Sequence, residues 1–176
     1  MLPSEGGKLH LGINNCRDLY EKLQLEHNRL CISQYTNVYD VFNFVVTAHH
    51  LHEDWLNKDE ATRPKLACRK RDKAPEGMKL MMKVVRDLTN GSKHMALNEK
   101  STNKRVVEAI HPGEIKDWYS YFYEPHFWIA VGRYYLSTPV LVELIMSYFN
   151  WIFDDSIPVD DFPVEIEEQL NKQLAH

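Results

Sequence analysis

Apolar residues recur at helical intervals through the first hundred positions, and the pattern then shifts to alternation. Cys16, Leu19 or Tyr20, Leu23, Leu30 and Cys31 fall on one face of a helix ending near Ser33, capped by Asn14 or Asn15. Arg17, Glu21, Lys22 and Glu26 fall on the face turned to water. A second helix is predicted over Thr36 to Asn57. There Val38, Val41, Phe42, Phe44, Val45, Val46, Ala48, Leu51 and Trp55 cover well over half the circumference, as in the central helix of a bundle. Its polar residues concentrate in one narrow line: Asp40, Asn43, Thr47, His50 and Asp54. That line is either the wet side of the helix or a groove against a neighbour. The absence of Lys and Arg from Thr36 to Asn57 favours the groove, and the need of buried polar groups for partners weighs against it. A third helix, about Gly77 to Leu97, buries Met81, Val84, Val85, Leu88 and Met95. Lys83, Asp87, Asn90 and His94 lie on its other face, with Arg86 at the edge. Asn90-Gly91 is also a hairpin signal, but adjacent pairs such as Val84-Val85 break strand alternation, so the helix is preferred.

From Val106 the pattern is that of strands. Val106 to Ile110, Trp118 to Tyr123 and Phe127 to Leu136 are candidates, broken at Gly113 and Glu124-Pro125. Thr138 as cap and Pro139 at the first helical position start a last long helix to about Asp155. Its apolar circumference implies packing on two sides or a subunit interface. A short helix over Val164 to Leu174 ends an acidic tail. The fold class that follows is mainly α: a bundle of about four helices with a small antiparallel β element before the last long helix. The chain reads as a single domain, with a three-helix part over 14–97, a basic connector over 58–76, the β element and apolar helix over 106–155, and a tail over 156–176.

Composition adds little to this and charge adds one contrast. The 176 residues carry a net charge of −4, which gives no general attraction to nucleic acid or membrane. Arg63 to Lys73 nevertheless holds six basic residues against one acid, and Asp154 to Glu168 holds seven acids and no base. The preferred reading is that these blocks are solvated or compensate each other. The three cysteines, Cys16, Cys31 and Cys68, form no CxxC pair, and reduced thiols in a cytoplasmic setting are expected. MLPSEGGKLHLG lacks the features of a signal peptide, and no stretch is long and apolar enough to imply a membrane span.

Candidate chemistry gathers on the second and third helices. His52-Glu53 opens an H-E-x-x-H pattern that fails at Leu56. His50, Asp54 and His94 are a weaker metal-ligand set, and no metal or other cofactor is expected. The more promising arrangement sets Arg86, Asp87, Asn90 and His94 against a supporting seam of Asn43, Thr47, His50 and Asp54. A histidine exchanges protons near neutral pH, and an arginine clamps a phosphate and neutralises developing charge. Together they meet the needs of metal-free RNA cleavage. The competing reading of the same residues is a buried polar network that fixes helix register.

DVFNFVVTAHHLHEDW (Asp40 to Trp55) and RDLTNGSKH (Arg86 to His94) resemble segments of a group of bacterial and phage-borne helical proteins, and more distantly the HEPN superfamily of helical ribonucleases and their inactive relatives. The resemblance implies a helical homodimer with a shared cleft. By motif, Arg86, Asp87 and His94 would be the arginine, polar residue and histidine of that cleft. Seven residues separate Arg86 from His94, against four to six in the family. The function so implied is that of a defence, toxin–antitoxin or counter-defence protein acting as a metal-independent endoribonuclease on RNA. The alternative is a non-catalytic module that binds a host or phage protein partner.

Overall fold

The computed structural model describes residues 12–34, 37–93, 105–112, 127–132 and 134–174. Among them the elements run α1 (Cys16–Ile32), α2 (Val38–His50), a π-helical turn (Leu51–Trp55), α3 (Leu56–Lys58), α4 (Ala67–Lys73), α5 (Glu76–Lys93), β1 (Val107–Pro112), β2 (Phe127–Val131), β3 (Tyr134–Ser137), α6 (Thr138–Phe153) and α7 (Val164–Leu174). The protein is mainly helical, with a small three-stranded antiparallel sheet in the order β1-β2-β3. No described helix is long and apolar enough to cross a membrane.

Local chemistry sets the helix starts. Asn15 caps α1 by accepting the Asp18 N–H at 2.9 Å, and the Asp18 carboxylate accepts the Asn14 N–H at 2.8 Å. The first bond satisfies a donor that a bare helix end leaves open, and the second ties the residue before the cap to the first turn. The Cys16 N–H donates to Asp59 Oδ2 at 2.8 Å and Thr62 Oγ1 at 3.0 Å, which fixes the start of α1 to the loop after α3. Asn37 caps α2 through the Tyr39 N–H.

The core departs from the sequence pattern in where it is centred. The helix buried nearly all round is α6, through Leu141, Leu144, Ile145, Tyr148, Phe149, Trp151 and Ile152. It packs on α1, α2, α4, α5, α7 and the sheet, so its apolar circumference is used within the chain. The apolar pattern of α2 places it at the centre, but in the structure it leaves Val38, Tyr39 and Phe42 exposed. On α1 two expectations reverse: Cys31 is exposed, while Glu26 is 7% exposed. Glu26 is tolerated there because Lys22 binds both its carboxylate and the buried Thr47 hydroxyl of α2.

The apolar run Phe127 to Leu136 is two strands, since Gly132 turns the chain at φ +57°, a conformation glycine adopts at little cost. Trp118 to Tyr123 lies outside the described residues. Ser137, not Thr138, occupies the cap position of α6; the Thr138 hydroxyl donates instead to the Phe127 carbonyl at 3.1 Å and ties the helix to β2.

The basic connector and the acidic tail compensate each other. Asp155 accepts the N–H groups of Lys65 and Leu66, and Lys73 pairs with Asp160 at 2.6 Å. Lys70 is fully buried between them. Its ammonium donates to the Trp151 and Asp154 carbonyls at 2.7 and 2.6 Å and lies 5.3 Å from the Trp151 ring centroid. It therefore caps the carbonyl end of α6, where a cation also complements the helix dipole. Burial pulls its pKa below the ordinary lysine value, opposed by Asp154 and Asp155.

Candidate functional site

The π-helical turn after α2 shapes the site. Buried Leu51 and buried Leu56 are five residues apart, so the turn inserts one residue into the apolar phase. Such turns are common at functional sites because they re-aim the side chains around them. Here His52 is turned inward, at 13% side-chain exposure, and Glu53 stands at half exposure beside it.

Both residues line a cleft of about 510 Å³ between the turn, α4, α5 and α6. Arg71 comes from α4, and Lys79, Lys83 and Arg86 come from successive turns of α5. Glu53 and Asp72 are the acids of the lining, so four cations face two carboxylates. Ala74, Met78 and Met82 supply an apolar wall. A cleft of this make-up suits an anion of phosphate size attached to an apolar ring.

At the inner end, the Tyr148 hydroxyl lies 3.3 Å from His52 Nδ1, with the ring centroids 5.8 Å apart. Burial lowers the His52 pKa to about 4, and the Arg71 guanidinium and His49 push in the same direction. The imidazole is thus neutral at pH 7. Burial drives the Tyr148 phenol above its ordinary range, so it too stays uncharged. His52 Nε2 is 3.9 Å from Glu53 Oε1, beyond hydrogen-bonding distance.

Several cations are held in place. Arg71 donates to Asn57 Oδ1 at 2.5 Å and lies 3.5 Å from Asp72. Lys79 pairs with Glu76 at 2.8 Å, which keeps the Glu76 carboxyl below its ordinary range. Arg86 donates from Nε and Nη2 to Asp87 Oδ1 at 3.2 and 3.0 Å.

The expected seam residues separate. Arg86 lines the cleft with its guanidinium held on the Asp87 carboxylate, and Asp87 is 7% exposed. Its Oδ2 accepts the N–H groups of Val106 and Val107 at 2.6 and 3.2 Å, so Asp87 anchors the start of β1 to α5. Asn90 is half-buried one turn further along. His94 lies outside the described residues. On α2, Asn43 is exposed, Thr47 is bound to Lys22 of α1, and His50 pairs with Asp54 at 3.0 Å. Lys58 meets the same Asp54 carboxylate at 2.7 Å. The bond to His50, then that to Lys58, lowers the Asp54 pKa to about 2. The α2 line thus faces α1 and solvent rather than α5. The reason is angular: Phe44, Val45 and Ala48 fill the buried side of α2, and the α5 contact on the Val45 carbonyl comes from Thr89, at 3.5 Å.

Sequence reasoning misses His52, Arg71 and Tyr148. His52 belongs to a failed H-E-x-x-H pattern, Arg71 is one charge in a basic block, and Tyr148 sits in an apolar helix. The available signal is a phenol within an otherwise apolar face, since a buried hydroxyl needs a partner. Among the described residues, the three-ligand group that could hold a metal lies outside the cleft, on α1 and α6. No protein-family model, curated protein or solved structure matches the chain.

Proposed function

We propose that the cleft binds RNA through its phosphates and that the chain is a metal-independent endoribonuclease, a HEPN-like protein of a bacterial or phage system. In this reading α1, α2, α5 and α6 form its four-helix unit. The observation that carries it is the placement of Arg71, Lys79, Lys83 and Arg86 around one neutral, inward-turned imidazole. Arginines grip a phosphodiester in a planar fork, and lysines add mobile positive charge. With Nδ1–H donating to Tyr148, His52 Nε2 keeps its lone pair and takes the proton of a ribose 2′-hydroxyl. The 2′ oxygen attacks phosphorus, the 5′ oxygen leaves, and it collects a proton from a second acid, for which the sequence offers His94. A bound phosphate favours the protonated imidazole and so raises the His52 pKa from about 4 towards the working range.

Incubation of a mixed RNA pool with the protein in EDTA tests this. Fragments ending in 2′,3′-cyclic phosphate are expected, with His52→Ala slower by about 100-fold. Intact RNA, or cleavage unchanged in both His52→Ala and Arg86→Ala, overturns the reading. Cleavage lost in His94→Ala but kept in His52→Ala returns the chemistry to the Arg86–His94 motif.

A second reading rests on a different surface. Ile32 at the end of α1 and Val38, Tyr39 and Phe42 at the start of α2 are exposed at 84, 46, 76 and 42%. Apolar side chains gathered this way mark interaction sites, including the expected homodimer. Light scattering on the wild type and on Tyr39→Asp/Phe42→Asp tests it: a dimer that becomes a monomer supports the surface, and a wild-type monomer that captures no stoichiometric partner from host lysate rejects it.

A further inference from the structure

We infer that His27, Cys31 and Glu143 form a binding site for a divalent transition metal of the zinc class, on the side of the molecule formed by α1 and α6. His27 and Cys31 are four residues apart on α1, which places both side chains on one face. Glu143 comes from the second turn of α6, packed alongside. His27 Nε2 is 2.9 Å from Glu143 Oε1, and Cys31 Sγ is 3.8 Å from the same Nε2. The three ligand atoms all lie within 4.8 Å of one another.

These separations come within about an ångström of those that a metal requires. With bonds of about 2.3 Å to sulfur and about 2.0–2.2 Å to nitrogen and oxygen, ligand atoms in a tetrahedral site sit roughly 3.3–3.7 Å apart. The Cys31–His27 distance needs almost no change, the His27–Glu143 hydrogen bond opens by about half an ångström, and the Cys31 sulfur and Glu143 carboxylate close by up to about 1.2 Å. The donor set selects the ion. A thiolate and an imidazole disfavour magnesium and calcium, which prefer oxygen, and favour zinc. Charge balances as well: thiolate and carboxylate together offset a divalent cation, while the imidazole binds neutral. Loading releases the Cys31 thiol proton to solvent, so affinity rises with pH.

Access and support are both present. Cys31 is exposed, and the Glu143 side chain is 41% exposed, so an ion reaches the site and keeps a fourth position for water. The His27 ring is 19% exposed and lies 6.3 Å from the fully buried Phe44 ring, which limits its rotation. Three protein ligands and one open position is the arrangement of a reactive zinc site, and the bound ion also joins α1 to α6.

The test uses the full chain, stripped with EDTA and desalted, titrated with zinc against a chromophoric chelator and separately with cobalt. One zinc per chain and a cobalt–thiolate charge-transfer band are expected. Cys31→Ser and His27→Ala should each weaken zinc by at least about 100-fold, the upper end of the cost of losing an outer-shell partner. Glu143→Gln should weaken it less, and Cys68→Ser not at all. Cys31 is exposed, so Cys31→Ser keeps the helix content, which circular dichroism verifies. Zinc binding that is absent, or unchanged in Cys31→Ser and His27→Ala, or cobalt bound without the thiolate band, overturns the site.

Discussion

The contact between α1 and α2 and the cleft beside the π-helical turn both gather charged side chains, yet they use them in opposite ways. At the α1–α2 contact, Lys22 meets Glu26 Oε1 and the Thr47 hydroxyl, while Glu26 Oε2 is buried without a hydrogen-bond partner among the described residues. In the cleft, Arg71, Lys79 and Arg86 lie beside Asp72, Glu76 and Asp87, and together with Lys83 they set four cations along one open wall. The first arrangement fixes how two helices lie. The second lines an open cleft with cations, three of them beside carboxylates. Arg86 and Asp87 show the contrast within two consecutive residues: one faces the cleft, the other holds a strand.

The largest effect on stability is expected at Asp87. Asp87→Ala leaves the Val106 and Val107 N–H groups and the Arg86 guanidinium without their shared acceptor, at a cost of about 3 kcal/mol. Urea unfolding should show Arg86→Ala costing less, while RNA binding should fall more in Arg86→Ala than the stability change explains. Equal stability losses in the two variants would erase the distinction between anchor and clamp.

The next effect is a pH dependence at His52. Its pKa is lowered from 6.5 to about 4, so between these values the unfolded chain binds the extra proton and the folded chain does not. Stability therefore falls as pH drops from about 6.5 to about 4 and levels below, by roughly 3 kcal/mol. His52→Gln should flatten that part of the curve. An identical pH profile in wild type and variant would show that the imidazole is not held neutral.

Smaller changes belong to the inner contact. Thr47→Val removes an acceptor of Lys22 and should cost about 1 kcal/mol, with RNA binding unchanged. Smallest is Asp54→Asn. The lowered Asp54 pKa contributes stability that is present above about pH 4 and lost towards pH 2, but both Asp54 and His50 are 39% exposed. Solvent screening should hold the effect to roughly 0.5 kcal/mol.

Much of the fold is legible in the sequence because helical periodicity reports which faces are buried. The spans of α1, α5, α6 and α7, the Asn15 cap and the presence of a small antiparallel β element follow from local pattern, whereas the turn at Gly132 that divides Phe127 to Leu136 does not. What is not legible depends on tertiary angle. The α2 polar line has the spacing of one half of a seam, but Thr47 turns to α1 because Lys22 lies within reach. The π-helical turn has no local sequence signature in LHEDW, so neither the inward aim of His52 nor its meeting with Tyr148, 96 positions away, can be read from spacing. Of the expected site residues, Arg86 lines the cleft, which its place at the edge of the α5 polar face leaves open. The partners of Asp87 are Arg86 and the backbone at the start of β1, and spacing along α5 does not reveal the second of these.

The most direct test of the cleft is the salt dependence of binding to a single-stranded RNA oligonucleotide, comparing the wild type with Lys83→Ala/Arg86→Ala. If both cations contact phosphate, removing them should reduce the slope of log K against log salt by about 1.4 for a single strand, with affinity falling at every salt concentration. An unchanged slope and affinity in the double variant, or no RNA binding by the wild type at low salt, would contradict the account.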